Sequence, residues 1–249
     1  MSRLTKSVRK RLGLDRPEPP RQPEPRTLPR RGLFFCHIPK TGGTSVRYAL
    51  EAIYPPHAVM PDAYMMARNG GRYPELSIVK NVLVAQRKSV LLFRGHYPLA
   101  AAELVPGFLT ATVLRDPVER TISQIRHGIA RGHMEADEAW SRLEDGDSFF
   151  PKNMQVNYLG QSPASRKPPK AQLAAAKEAI REIDVVGFSD DLQGFAERLN
   201  DALGVRLEFG HVNTGTAPMP ELTERQLETL RANNLLDIEL YEFARSVRG

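Results

Sequence analysis

The run Phe34-Phe35-Cys36-His37-Ile38-Pro39-Lys40-Thr41-Gly42-Gly43-Thr44-Ser45 passes from apolar residues into a lysine, a glycine pair and then hydroxyl side chains. Residues of these types in this order suit the binding of a bulky oxyanion. A helix start offers unpaired backbone N–H groups and the positive end of the peptide dipoles, and glycines let the anion come close to them. Lys40 adds a full positive charge, and Thr44 and Ser45 add hydroxyl donors. A nucleoside triphosphate loop of the G-x-x-x-x-G-K-[ST] type places its lysine directly after the last glycine. Here Lys40 precedes Gly42 and Gly43, so the spacing argues against a triphosphate.

A second set of residues could hold another anion. Arg115 ends the apolar run Leu109 to Leu114, and Asp116-Pro117-Val118-Glu119-Arg120 follows it. Asp116 suits an N-cap, Pro117 the first helical position, and Glu119 the far end of a capping box. Ser123 stands seven residues after Asp116, close to two helical turns, and so returns to the face of the helix start. Arg115 and Ser123 can therefore converge on one small anion. A third group is His96 in Phe93-Arg94-Gly95-His96-Tyr97-Pro98, since an imidazole is the side chain best suited to take up a proton near neutrality. Glu51 and Glu103 are the carboxylate alternatives for that role.

The elements that must position these groups follow from pattern. Leu33 to Ile38, Val90 to Arg94, Leu109 to Leu114 and Asp184 to Phe188 read as strands. Val46, Ala49, Leu50 and Ile53 give a helix after the first strand its inner face, and Val118, Ile122, Ile125 and Ile129 do the same after the third. Further helices are expected near 171–182, 191–203, 223–232 and 236–246. Strands alternating with helices imply an α/β fold with a central parallel sheet, doubly wound in three layers, with ligands outside the carboxyl ends of the strands. Lys40, His96 and Arg115 all fall at such ends, and the second half of the chain reads as mostly helical. Residues 55–88, with Met60, Met65, Met66 and the Asn69-Gly70-Gly71 turn, read as an irregular insertion, which fits either a specificity-shaping excursion or helical padding. Residues 161–170 read as an exposed linker, and Gly210 to Thr216, with His211, as a loop able to close over a ligand.

The phrase Pro39-Lys40-Thr41-Gly42-Gly43-Thr44-Ser45 resembles the 5′-phosphosulfate loop of the carbohydrate sulfotransferases that use 3′-phosphoadenosine-5′-phosphosulfate. Val113-Leu114-Arg115-Asp116-Pro117-Val118-Glu119-Arg120 with Ser123 is similar to the 3′-phosphate motif of the same superfamily, and Gly95-His96-Tyr97-Pro98 to a phrase whose histidine is a base in several members. The resemblance is to the family that includes the heparan sulfate O-sulfotransferases. It implies a P-loop-like fold, a single domain over 31–249, and transfer of a sulfuryl group to a hydroxyl of a carbohydrate or glycoconjugate. By that resemblance Lys40, Thr41, Gly42, Gly43, Thr44 and Ser45 hold the 5′ side of the donor, Arg115 and Ser123 its 3′ side, and His96 is the base, with Lys40 also stabilising the leaving phosphate. No metal is implied. Asn153-Met154-Gln155-Val156-Asn157-Tyr158-Leu159-Gly160 is similar to the segment after the second motif, although relatives often carry a basic residue near Asn157. A P-loop nucleotide kinase, or a module that binds a nucleotide or acidic polymer without catalysis, are the alternatives.

Composition bounds the remainder. A chain of 249 residues with ordinary apolar content can bury a sizeable core. No apolar run approaches the ~20 residues of a membrane span, and the basic N-terminus lacks an apolar signal core, so a cytoplasmic protein is expected; because eukaryotic members of the resembled family usually carry a membrane anchor, the resemblance then implies a soluble, bacterial-type member. The single cysteine, Cys36, lies within the first strand pattern and reads as a buried structural thiol. The net charge of +6 is concentrated in residues 1–30, a basic, proline-rich segment expected to be a disordered tail, so it does not call for a nucleic acid partner. Leu4, Val8 and Leu12 among basic residues allow that tail at most a weak contact with a membrane surface. No histidine or cysteine spacing matches a zinc site.

Overall fold

The computed structural model describes residues 29, 31–161, 167–207 and 222–249. The expected tail apart from Pro29, the linker core 162–166 and the loop with His211 lie outside them. Among the described residues five strands, β1 (Leu33–Cys36), β2 (Val59–Met60), β3 (Leu92–Gly95), β4 (Leu109–Leu114) and β5 (Val185–Phe188), make one sheet in the order β2-β3-β1-β4-β5, every pair parallel. The helices are α1 (Gly43–Ile53), α2 (Ala63–Arg68), α3 (Leu76–Gln86), α4 (Pro117–Ala130), α5 (Ala136–Glu144), α6 (Met154–Gly160), α7 (Pro169–Glu182), α8 (Leu192–Leu203), α9 (Glu224–Asn233) and α10 (Leu235–Arg248).

β1 is the central strand, and its side chains alternate between two apolar layers, as a strand covered on both faces requires. Leu33 and Phe35 pack with Val46 and Leu50 of α1 and with Phe195, Leu199 and Leu203 of α8. Phe34 and Cys36 pack on the opposite face with Val79 and Leu83 of α3, Ala176 and Ile180 of α7, and Leu240 and Ala244 of α10. The fold is thus an α/β sandwich of three layers, as the alternation of strands and helices implies. A separate cluster of Ile122, Ile125, Leu143, Phe150 and Leu230 joins α4, α5 and α9 away from the sheet.

Two expectations are corrected. Residues 55–88 are not irregular: they supply the edge strand β2, paired with β3, and the helices α2 and α3. The pattern hid α3 because Leu76, Ile78, Val79, Val82, Leu83 and Val84 ring the helix with apolar residues, whereas only Val79 and Leu83 are buried. The first strand ends at Cys36 rather than Ile38, because pairing stops after the His37 N–H donates to the Gly95 carbonyl at 3.0 Å and the chain turns into the lysine loop. Cys36 is fully buried, its thiol donating to the Tyr97 carbonyl at 3.3 Å, and burial pushes its pKa up to about 12.

Candidate functional site

The loop between β1 and α1 carries the geometry expected of an anion site. Lys40 has φ +69° and Gly42 φ +89°, so the backbone reverses through left-handed conformations that a non-glycine residue adopts at a cost of about 1 kcal/mol or more. Such strain at Lys40 sits in an otherwise ordinary strand-to-helix turn. Thr41 is buried, and its hydroxyl donates to the Ile38 carbonyl at 2.9 Å, which pins the turn from within. Gly42 is the N-cap of α1, so no side chain caps that helix, and no acidic residue lies in its first turn. The Ser45 N–H donates to the Gly42 carbonyl at 3.2 Å, and the N–H groups of Gly43 and Thr44 ahead of it are the ones a helix start offers to an outside acceptor, beside the exposed Thr44 hydroxyl. Ser45, in contrast, is buried.

Gly43 is fixed by packing rather than by its own torsion. A Cβ there would lie 2.2 Å from Cδ2 of His37, whose ring fills the space beneath the helix start. His37 in turn stacks on Phe35 at 5.6 Å and lies 4.4 Å from the ring of His96. Burial, followed by the neighbouring His96 when it is protonated and by the charges of Arg47, Arg94 and Lys40, holds His37 well below the usual imidazole range, so it is neutral. Its buried Nδ1 has no hydrogen-bond partner among the described residues.

His96 follows β3 directly and meets the same loop. Its Nδ1 lies 2.7 Å from the His37 carbonyl oxygen, an atom that can only accept, so Nδ1 carries the proton and the lone pair of the neutral ring is on Nε2. His96 keeps an exposed edge, yet lost hydration on its packed side is the main effect lowering its pKa. The hydrogen bond to His37 opposes that shift, and the charges of Arg47 and Lys40 add to it. Tyr73, which precedes α3, meets His96 edge-on at 4.8 Å. The imidazole is thus neutral near pH 7, oriented, and solvent-accessible, the three properties a proton acceptor needs.

The carboxylate alternatives are placed differently. Glu51 on α1 accepts from Arg94 Nε at 2.7 Å and Nη2 at 2.5 Å, with Arg47 Nε at 3.5 Å. It serves as the counter-charge of Arg94, a side chain only 4% exposed on β3, whose Nη1 has no hydrogen-bond partner among the described residues. Glu103 is exposed on the 3₁₀ turn Leu99–Leu104.

Arg115 is brought to the lysine loop. Its Nη1 lies 3.5 Å from the Lys40 carbonyl oxygen. Burial, then the charges of Arg115 and Arg131, lower the pKa of Lys40, so both cations belong to its surroundings. Asp116 caps α4 by accepting from the Glu119 N–H at 2.9 Å. The expected capping box does not close, because the Glu119 carboxylate turns to Arg115 Nη2 at 3.4 Å instead. Ser123 is half-buried two turns into α4, one turn before His127 on the same face. The Lys40 charge helps to lower the His127 pKa, after burial.

The support of Arg115 was not foreseen. The buried Gln155 side chain accepts from the Arg115 N–H at 3.0 Å and donates to its carbonyl at 2.9 Å, continuing the end of β4 as another strand would. Gln155 is held by two helix starts that cap each other. Asp237 of α10 accepts from the Gln155 and Val156 N–H groups of α6 at 3.0 and 2.7 Å, while Asn153, at φ +51°, accepts from the Leu236 and Asp237 N–H groups at 2.9 and 3.3 Å. Burial raises the Asp237 pKa to about 6, against the lowering effect of those N–H groups and of Arg120. The similarity noted for Asn153 to Gly160 pointed at this segment without showing what it holds.

Among the described residues no three metal-ligating side chains come together, and no helix is long and apolar enough to cross a membrane. No family model and no curated protein matches the chain. A sulfotransferase from Alicyclobacillus acidocaldarius is a similar solved structure, with 15% identity and a TM-score of 0.48 over 86% of this chain and 94% of that one. A likeness at that level carries no argument about substrate or residue roles.

Proposed function

We propose that the protein transfers a sulfuryl group from 3′-phosphoadenosine-5′-phosphosulfate to a hydroxyl of a carbohydrate or glycoconjugate. The observation that carries this reading is the meeting of three groups at the carboxyl ends of β1, β3 and β4: the uncapped start of α1 with Lys40, the neutral His96 with its free Nε2, and Arg115 at the Lys40 carbonyl. The donor has two separated anionic groups. The α1 start with Lys40 suits the phosphosulfate, and Arg115 with Ser123 the 3′-phosphate. Gly42 and Gly43 allow close approach, and Thr44 offers an exposed hydroxyl, whereas Thr41 and Ser45 serve from inside the turn.

In the reaction, an acceptor hydroxyl oxygen bonds to sulfur as the bond from sulfur to the phosphate oxygen breaks. His96 Nε2 takes the hydroxyl proton, with the imidazolium charge eased by the His37 carbonyl on Nδ1. Lys40 and the α1 N–H groups meet the charge that develops on the leaving phosphate, a stabilisation that does not call for a metal. Residues 31–249 act as one sulfotransferase domain in this reading, in the cytoplasm.

The test is radiolabelled transfer from sulfur-35 donor to a panel of saccharides. His96→Ala should slow transfer ~100-fold or more at unchanged donor affinity. Lys40→Ala should cost about 3 kcal/mol of barrier, roughly a hundredfold. Full transfer by His96→Ala would remove the base from the mechanism.

A further inference from the structure

His96 is held at three points, and one of them comes from outside the loop and strand ends that carry the other reacting groups. The His37 carbonyl takes the Nδ1 proton at 2.7 Å, and the His37 ring lies 4.4 Å from the imidazole, centroid to centroid. The third contact is Tyr73, whose ring stands at 78° to the imidazole with 4.8 Å between centroids. The torsion that sets the plane of a histidine ring has broad minima, so a single hydrogen bond leaves the ring free to pivot about it. The second ring removes that freedom.

Tyr73 is itself built into place, in the segment between α2 and α3. The Asn69 side-chain amide donates to the Arg72 and Tyr73 carbonyls at 3.2 and 2.9 Å. The buried Tyr97 hydroxyl donates to the Pro74 carbonyl at 2.9 Å, which ties the segment to the residue that follows His96. Against the Tyr73 ring lies the Arg94 guanidinium, its Cζ 5.3 Å from the ring centroid, and Glu51 pairs with that guanidinium. A buried cation on an inner strand is costly unless it is paired, and here a carboxylate and the face of an aromatic ring share that task. A Cβ on Gly95 would lie 3.0 Å from Cδ1 of Tyr73 and 2.4 Å from Cε2 of Tyr97, so the glycine before His96 makes room for both rings. The Tyr73 hydroxyl is buried beside Arg47, and it is the ring that meets His96.

We infer that Tyr73 is a positioning residue: its ring, braced by the paired Arg94 and Glu51, fixes the plane of the His96 imidazole and closes one side of it to water, so that Nε2 keeps one direction. The inference rests on the sulfuryl-transfer reading for the reaction that His96 serves, while the fixing of the ring stands on these contacts alone. It also gives the 55–88 segment a use, since its turn completes the surroundings of the proposed base.

The experiment is nitrogen-15 NMR titration of the full chain labelled at histidine, together with sulfur-35 transfer, on wild type, Tyr73→Phe, Tyr73→Leu and Tyr73→Ala. The signal missing from His96→Ala identifies His96. The charged and titratable groups around it are His37 at the end of β1, Lys40 in the loop, Arg47 and Glu51 on α1, and Arg94 on β3, and all are kept in the Tyr73 variants. The expected result is one tautomer, protonated at Nδ1, with a midpoint below 6.5 in wild type and restored by Tyr73→Phe. Tyr73→Leu and Tyr73→Ala should give mixed tautomers and a midpoint moved up toward 6.5, because water reaches the opened side of the ring. In these two kcat should fall ~10- to 100-fold, as lost orientation does, at unchanged donor KM. Circular dichroism checks folding, and Tyr73→Leu keeps apolar bulk at the site should Tyr73→Ala lose its fold. A wild-type tautomer and midpoint in folded Tyr73→Leu would overturn the assignment, as would an equal loss in Tyr73→Phe, which moves the role to the hydroxyl. A raised donor KM at unchanged kcat would overturn it too, by placing Tyr73 in the donor site. If the histidine signals respond as expected while wild type transfers no sulfate, the sulfuryl-transfer reading fails and the positioning of His96 survives.

Discussion

Replacing Gln155 by alanine is the sharpest probe of how the Arg115 end of the site is built. The substitution removes two hydrogen bonds to the Arg115 backbone, at 3.0 and 2.9 Å, without touching the guanidinium. Each such bond contributes about 1 kcal/mol net, and leaving a partly buried N–H and carbonyl unpaired costs about 1–3 kcal/mol on its own scale. The side chain is 1% exposed, so its removal also leaves a small void. Together these give a loss of about 2–4 kcal/mol in unfolding free energy, measurable by urea denaturation. Gln155→Glu separates hydrogen bonding from packing. It keeps the volume and the acceptor for the Arg115 N–H but sets a carboxylate oxygen against the Arg115 carbonyl, so it should recover less than half of the loss. A Gln155→Ala loss below 1 kcal/mol, or full recovery by Gln155→Glu, would refute the view that Gln155 acts as a substitute strand for the end of β4.

Three further outcomes follow from the same geometry. Gly43→Ala forces a Cβ to within 2.2 Å of the His37 ring, so it should cost about 1–3 kcal/mol of stability and displace the ring against which His96 is set; a variant with wild-type melting and an unmoved His96 imidazole resonance in proton NMR would contradict this. His96 must be neutral to accept a proton and its pKa is lowered, so the acid limb of a pH profile of kcat/KM should have its midpoint below 6.5, and a midpoint at or above 6.5 would count against His96 as the base. Asp237 is raised from 3.8 to about 6, so the folded state binds the extra proton between these values and the contribution to stability is lost as pH rises through that window, by about 3 kcal/mol. Asp237→Asn cannot titrate, so its unfolding free energy relative to wild type should improve by that order between pH 4 and pH 7, measured by denaturation at each pH, and a pH-independent difference would show that Asp237 does not carry the raised pKa.

How much of this was legible in the sequence depends on the range of the interactions involved. Lys40, Gly42 and Gly43, and Asp116 before Pro117, are local signals: a turn and a cap are written within a few residues, and they appear at the strand ends where alternation puts them. The convergence of Lys40 with Arg115 follows from β1 and β4 being neighbours in a parallel sheet. Glu119 was misread because a capping box with Asp116, three residues back, and a pairing with Arg115, four back, compete for the same carboxylate, and only the rotamer decides. Arg94 and Glu51 stand 43 residues apart, and Gln155 and Arg115 40 apart, so no local pattern shows that one exists to serve the other. Asn153 and Asp237 are more distant still, and their reciprocal capping is a property of two helix ends meeting. Tyr73 carried no phrase of its own, and it meets His96 only because the turn after α2 is brought against the end of β3.

The central claim is that the lysine loop and Arg115 form one site for a nucleotide with phosphates at both 5′ and 3′ positions. Calorimetric titration with 3′-phosphoadenosine-5′-phosphate, against 5′-AMP and against ATP with magnesium, on wild type and on Arg115→Ala, tests it most directly. The account predicts that the bisphosphate binds in preference to both competitors and that Arg115→Ala weakens it by roughly ten- to a hundredfold, the value of hydrogen bonds to a charged group. Preference for ATP with magnesium, or bisphosphate binding indifferent to Arg115, would contradict it.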